Sequence, residues 1–124
     1  MVDLQSDALK GRRLLVVEDE YLIAADLADV LTGQGANVIG PAGSIKDALD
    51  MLATERQIDG AILDINVRGE RVYPVADALR ARGVPFVFAT GYDSWVIPDA
   101  FANVPRLEKP VRAAALARLL TIRT

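Results

Sequence analysis

Five side chains suited to phosphate and cation chemistry stand at or just behind short apolar runs. Glu18 and Asp19 follow Leu14-Leu15-Val16-Val17, Asp64 follows Ala61-Ile62-Leu63, Thr90 follows Phe86-Val87-Phe88-Ala89, and Lys109 comes two residues after Leu107. Three carboxylates brought together repel one another, and that repulsion raises a pKa or recruits a cation. The chain has no Cys and no His, which excludes thiolate and imidazole ligands, histidine general bases and Ser-His-Asp triads. A bound metal therefore needs oxygen ligands, as Mg²⁺ or Ca²⁺ prefers. Mg²⁺ takes one or two carboxylates and keeps positions for water or a phosphate oxygen. A carboxylate between such an ion and a lysine can attack phosphorus, because phosphoryl transfer requires mainly positioning and charge neutralisation. In this assignment Asp64 attacks, Glu18 and Asp19 hold the metal, Lys109 pairs with a phosphoryl oxygen, and the Thr90 hydroxyl donates to another.

These residues meet only if the elements ahead of them are neighbours. Leu14–Val17 reads as a strand buried on both faces, and Ile23, Leu27, Val30 and Leu31 then recur at helical spacing from Glu20 to about Gln34, with Gly33 and Gly35 offering a stop. Asn37-Val38-Ile39 is a second strand ending at Gly40-Pro41. Ser44 with Asp47 resembles a capping box ahead of the helical stripe Ile45, Ala48, Leu49, Leu52. Gly60–Leu63 is a third strand, followed by a polar turn through Asn66, Arg68, Gly69 and Glu70 and a helix from Pro74 to a stop at Gly83. Val84–Ala89 is a fourth strand. Residues 92–103 keep no clean period and contain Pro98, so a short or irregular fourth helix is expected. Val104–Leu107 is a weak strand whose Pro and Arg suit an edge, and an Ala/Leu-rich helix spans 110–122.

Strict strand-helix alternation predicts an α/β fold, a doubly wound five-stranded parallel sheet in the flavodoxin-like order 2-1-3-4-5. Parallel strands place their carboxyl ends on one rim, where Glu18, Asp19, Asp64, Thr90 and Lys109 converge. At 124 residues the chain fits one domain, with residues 1–11 as a polar tail and 12–124 as the folded unit. A formal charge of −3 and a pI near 4.9 argue against a surface that grips nucleic acid or anionic lipid. No apolar stretch reaches membrane-span length, and the polar start lacks a signal-peptide core, so the cytoplasm is the expected setting.

The motifs Leu14–Glu20, Ala61–Asn66, Phe88–Gly91 and Glu108-Lys109-Pro110 together resemble the receiver domain of bacterial two-component response regulators, over residues 12–123. The resemblance implies that Asp64 accepts a phosphoryl group from phosphohistidine on a histidine kinase or phosphotransfer protein. It also implies that Glu18 and Asp19 bind Mg²⁺, joined by Asp64 and by the main-chain carbonyl of Asn66. Such a module catalyses its own modification and hydrolysis and is not a turnover enzyme; its signal passes to a downstream protein through contacts.

The chain departs from the family at Arg106, where a Tyr or Phe usually turns inward as the threonine moves toward the phosphoryl group. The segment Phe88-Ala89-Thr90-Gly91-Tyr92 resembles a subgroup that lacks this aromatic and has a remodelled fourth helix, and Tyr92 is the candidate substitute. Gly91 leaves the rim open beside Thr90, while Asn66 and Tyr92 match positions that control water access. Two rivals remain open at this point. One is an aspartate-nucleophile phosphatase of the haloacid dehalogenase type, although Asp64-Ile65-Asn66 lies after the third strand and lacks that family's second acid. The other is a non-phosphorylated pseudo-receiver, whose mark is a missing acid or lysine.

Overall fold

The computed structural model describes residues 9–91 and 97–121. Strands β1 (Arg13–Val17), β2 (Asn37–Ala42), β3 (Gly60–Asp64), β6 (Phe86–Thr90) and β7 (Arg106–Glu108) form one sheet in the order β2-β1-β3-β6-β7, and every pairing is parallel. This is the expected flavodoxin-like arrangement. Helices α1 (Tyr21–Gly33), α2 (Ile45–Thr54), α3 (Tyr73–Ala81) and α4 (Ala113–Thr121) come after the sheet strands β1, β2, β3 and β7 in turn.

The period-2 pleat divides each central strand between two cores. Leu15 and Val17, Ala61 and Leu63, and Phe86 and Phe88 face the core that takes in Ala48, Leu52, Val75 and Leu79 from α2 and α3. Leu14 and Val16, Ile62, and Val87 and Ala89 face the core built with Leu27, Leu31, Leu116 and Leu120 from α1 and α4. Burying each such side chain contributes roughly 1.5–3 kcal/mol, so strands apolar on both faces require helices on both faces.

Local signals set the helix ends. The Ser44 hydroxyl accepts the Asp47 N–H at 3.0 Å, which starts α2. Gly83, at φ +70°, ends α3, with the Val84 N–H returning to the Leu79 carbonyl at 3.0 Å.

Two regions differ from expectation, and a third matches it. Leu9, placed by sequence in the polar tail, is fully buried beside Leu14 and Leu31, and the Gly11 N–H bonds the Gly35 carbonyl, so the packed body starts ahead of residue 12. An isolated Ala8-Leu9 pair in a polar stretch gives no period by which to recognise it. The polar turn after β3 is an antiparallel hairpin, β4 (Asn66–Val67) with β5 (Glu70–Arg71); two-residue strands are too short to alternate visibly. Between β6 and β7, where a short or irregular helix is expected, the described residues hold a single 3-10 turn, Asp99–Phe101, with Phe101 buried; residues 92–96, with Tyr92 and Trp95, lie outside the described residues.

Candidate functional site

Register brings the acids together before any side chain is considered. Val17 pairs with Leu63, so Glu18 lies level with Asp64 on the neighbouring strand. Asp64 in turn pairs with Ala89, which puts Thr90 one step further along the rim. Thr90 pairs with Glu108, and the Lys109 N–H donates to the Thr90 carbonyl at 2.9 Å, which anchors the lysine at the same edge.

The Lys109 ammonium donates to Glu18 Oε1 at 2.6 Å and sits 3.2 Å from Asp64 Oδ2. Oxygens of Glu18, Asp19 and Asp64 lie within 4.8 Å of one another. Glu18 is buried, at 4% exposure, while Asp19 and Asp64 are half-buried toward the open side. The Arg68 N–H donates to Asp19 Oδ2 at 2.9 Å, and the Glu20 N–H reaches Glu18 Oε2 at 3.4 Å.

The electrostatics follow from this packing. Burial, and then the hydrogen bond and negative charge of Asp64, push the Glu18 carboxyl up to about 7, against the opposing pull of Lys109. For Asp19 burial also favours the neutral form, but the Arg68 N–H and the other hydrogen bonds outweigh it and hold the carboxyl below its ordinary value. Burial likewise works against charge on Lys109, but its bond to Glu18 and the charge of Asp64 raise it, so the ammonium stays protonated. One half-buried cation thus faces two carboxylates and leaves the cluster with excess negative charge.

The donor set fits a hard divalent cation. It is all oxygen, and two residues along the chain from Asp64 the buried acceptor Asn66 Oδ1 has no hydrogen-bond donor. Of the expected site residues, Glu18, Asp19, Asp64 and Lys109 meet directly. Asn66 lies on β4, two residues beyond Asp64, and Thr90 ends β6 half-buried with exposed Gly91 after it. Arg106 is exposed on the edge strand, paired in register with Phe88. Tyr92 lies outside the described residues.

No protein-family model matches the chain. SdrG from Sphingomonas melonis Fr1 is 41% identical, and its solution structure superposes with a TM-score of 0.78 over 92% of this chain and 95% of that one. The BeF3-activated conformation of SdrG matches at 42% identity and a TM-score of 0.72, over 87% and 95% of the two chains. A response regulator receiver protein from Sinorhizobium medicae WSM419 is 27% identical, with a TM-score of 0.74 over 92% and 94%. The transcriptional regulatory protein PdtaR of Mycobacterium tuberculosis is 31% identical over 116 residues, 93% of this chain. The chain belongs to the response regulator receiver family. It spans about half the length of the curated relatives it matches, 52% in the case of PdtaR.

Two features of this receiver escaped the sequence reading. The contact of the Arg68 main chain with Asp19 is one; the Arg-Gly pair inside a short polar stretch is a weak hairpin signal that could have flagged it. The other is a cavity of about 380 Å³ beside the acids, lined by Leu22, Ile23, Leu27 and Val111 with Glu18, Asp64 and Lys109 also on its wall. Tyr21 and Leu22, at the start of α1, are 82% and 79% exposed.

Proposed function

We propose that this receiver accepts a phosphoryl group on Asp64 from the phosphohistidine of a histidine kinase or phosphotransfer protein. Mg²⁺ would be held by Glu18, Asp19, Asp64 and the main-chain carbonyl of Asn66. The observation that carries this reading is the Lys109 ammonium shared between Glu18 and Asp64 at the edge of three clustered carboxylates. When bound, Mg²⁺ supplies charge neutralisation for the carboxylates and the phosphoryl oxygens.

The chain's own groups do the rest. An Asp64 oxygen forms a bond to phosphorus while the phosphorus-nitrogen bond of the donor breaks, its electron pair remaining on the imidazole. Lys109 then pairs with one phosphoryl oxygen and the Thr90 hydroxyl donates to another. Asn66 and Tyr92 control water access to the acyl phosphate, and Gly91 leaves room for the donor. The chain is a phospho-acceptor and not a turnover enzyme, and it acts in the cytoplasm, with neither nucleic acid nor membrane as a direct partner. With exposed Arg106 on β7 the signal leaves by another route than the usual aromatic, toward a downstream protein. The exposed Tyr21 and Leu22 beside the apolar cavity suit protein contacts. A BeF3-activated conformation of the relative SdrG supports the same chemistry, since beryllium trifluoride on a carboxylate imitates a phosphoryl group. Neither the acids nor the lysine whose loss marks a pseudo-receiver are missing.

Incubation with acetyl phosphate and Mg²⁺ followed by intact mass measurement tests the reading. Wild type should gain one phosphoryl group and Asp64→Asn none; no gain in wild type, or an equal gain in the variant, overturns it.

A further inference from the structure

The β4–β5 hairpin reaches the acid cluster through its tip, where the Arg68 N–H meets Asp19. Val67 pairs with Glu70 across a two-residue loop, Arg68–Gly69. Both loop residues have positive φ, 52° and 79°, the type I′ geometry that suits right-twisted strands. That turn favours Asn, Asp or Gly at its first position, whereas here it carries Arg68, the one non-glycine residue with positive φ among those described. A left-handed conformation crowds the Cβ of such a residue against its backbone and is unfavourable. Backbone outliers of this kind gather where surrounding structure and function enforce them.

The strained residue is the one whose N–H donates to Asp19 Oδ2 at 2.9 Å, across 49 positions of sequence. The hairpin that delivers it is anchored: Val67 and Val72 are fully buried, and the Val72 N–H bonds the Ile65 carbonyl at 2.9 Å across the hairpin's base. The same hairpin carries Asn66, whose buried Oδ1 lacks a donor. A peptide N–H orients a carboxylate without neutralising it, as an ammonium would, so the acid keeps its charge and its second oxygen for a cation.

We propose that the Arg68–Gly69 turn is a positioning element for Mg²⁺: the Arg68 N–H fixes Asp19 in its ligating orientation, and turn rigidity sets cation affinity. The inference rests on the receiver reading of the acid cluster and adds a part that contributes no ligand of its own.

Gly69 gives a clean test, because a Cβ added there meets nothing within 4 Å, so a substitution acts through backbone conformation alone. Val resists positive φ, whereas Asn tolerates it. Mg²⁺ titration of the unphosphorylated chain by calorimetry should give a Kd raised roughly tenfold in Gly69→Val, with Gly69→Asn recovering most of the affinity. Gly69→Ala should fall between them and replaces the valine variant if circular dichroism shows that one unfolded. The Arg68 amide should exchange with deuterium more slowly once Mg²⁺ is added to wild type, a response that a merely structural turn would not give. Equal Kd values for wild type and Gly69→Val, an asparagine variant as weak as valine, or an Arg68 amide indifferent to Mg²⁺ overturns the proposal. Phosphorylation of wild type at saturating Mg²⁺ is measured alongside. Its absence overturns the reading of the site, whereas unequal Mg²⁺ affinities among the variants uphold the role of the turn.

Discussion

Lys109 lies closer to Glu18 than to Asp64, 2.6 Å against 3.2 Å, and Glu18 is the more deeply buried of the two acids. Without a cation the lysine therefore spends its charge chiefly on the residue that is hardest to ionise. Two acids share one cation, so the arrangement is poised for a second positive charge.

That imbalance predicts opposite effects for two substitutions. Glu18→Gln keeps an acceptor for Lys109 and removes a buried charge, so at pH 8 and without metal it should stabilise the chain by about 1 kcal/mol while Mg²⁺ binding is lost. Lys109→Met leaves two carboxylates facing each other and should cost roughly 3 kcal/mol. Denaturant melts of the three chains check both signs; a destabilised Glu18→Gln would contradict that imbalance.

The pH dependence follows from the same carboxyl. A folded-state pKa raised from 4.5 to about 7 means that the folded chain binds this proton more tightly than the unfolded chain does. Its contribution to stability is therefore fully present below about pH 4.5 and lost as the pH rises through about 7. Asp19, held below its ordinary 3.8, acts in the reverse sense, and its contribution is lost on acidification. The difference in thermal midpoint between metal-free wild type and Glu18→Gln isolates the Glu18 effect: wild type should lose ground across that window. Mg²⁺ affinity should rise over the same range, because the ligand is the deprotonated acid. A difference that stays constant with pH would contradict the assignment.

Much of this site was legible in sequence because a parallel sheet sends all its carboxyl ends to one rim. Five short apolar runs locate the ends, and Glu18, Asp64 and Lys109 meet as the order 2-1-3-4-5 requires. What escaped was written in single residues or in backbone. Leu9 has only Ala8 beside it and no apolar run to form a pattern with. The contact to Asp19 comes from an N–H, which any residue but proline supplies, and the φ of Arg68 is a property of the turn and not of arginine. Arg106 departs from the family pattern, and its exposure belongs to its place on the edge strand.

Arg82 ties two elements together away from the site. Its guanidinium donates to the carbonyls of Leu52 at 2.7 Å and of Glu55 and Arg56, both at 2.9 Å, closing the C-terminal end of α2 against α3. Arg82→Ala leaves those carbonyls to solvent and should cost roughly 1–3 kcal/mol, with Mg²⁺ affinity unchanged. Chemical denaturation paired with calorimetry checks this; a variant as stable as wild type would mean that water replaces the guanidinium without loss.

Tyr73, the first residue of α3, stacks on Phe101 with centroids 5.1 Å apart and meets Phe88 edge-on, yet its buried hydroxyl has no partner. An unsatisfied buried hydroxyl costs roughly 1–3 kcal/mol, so Tyr73→Phe should raise the thermal midpoint while keeping the aromatic contacts. A lowered midpoint would show that the hydroxyl is satisfied in solution.

The central claim is that Asp64 carries the phosphoryl group, and borohydride reduction tests it at the level of the bond. An acyl phosphate is reduced to an alcohol, which turns the modified aspartate into homoserine, whereas a free carboxylate and a phosphorylated hydroxyl survive. After acetyl phosphate and Mg²⁺ treatment, peptide mass spectrometry should find homoserine at position 64 alone. Homoserine at position 19, a reduced Glu18, or phosphate retained on Thr90 would contradict the account.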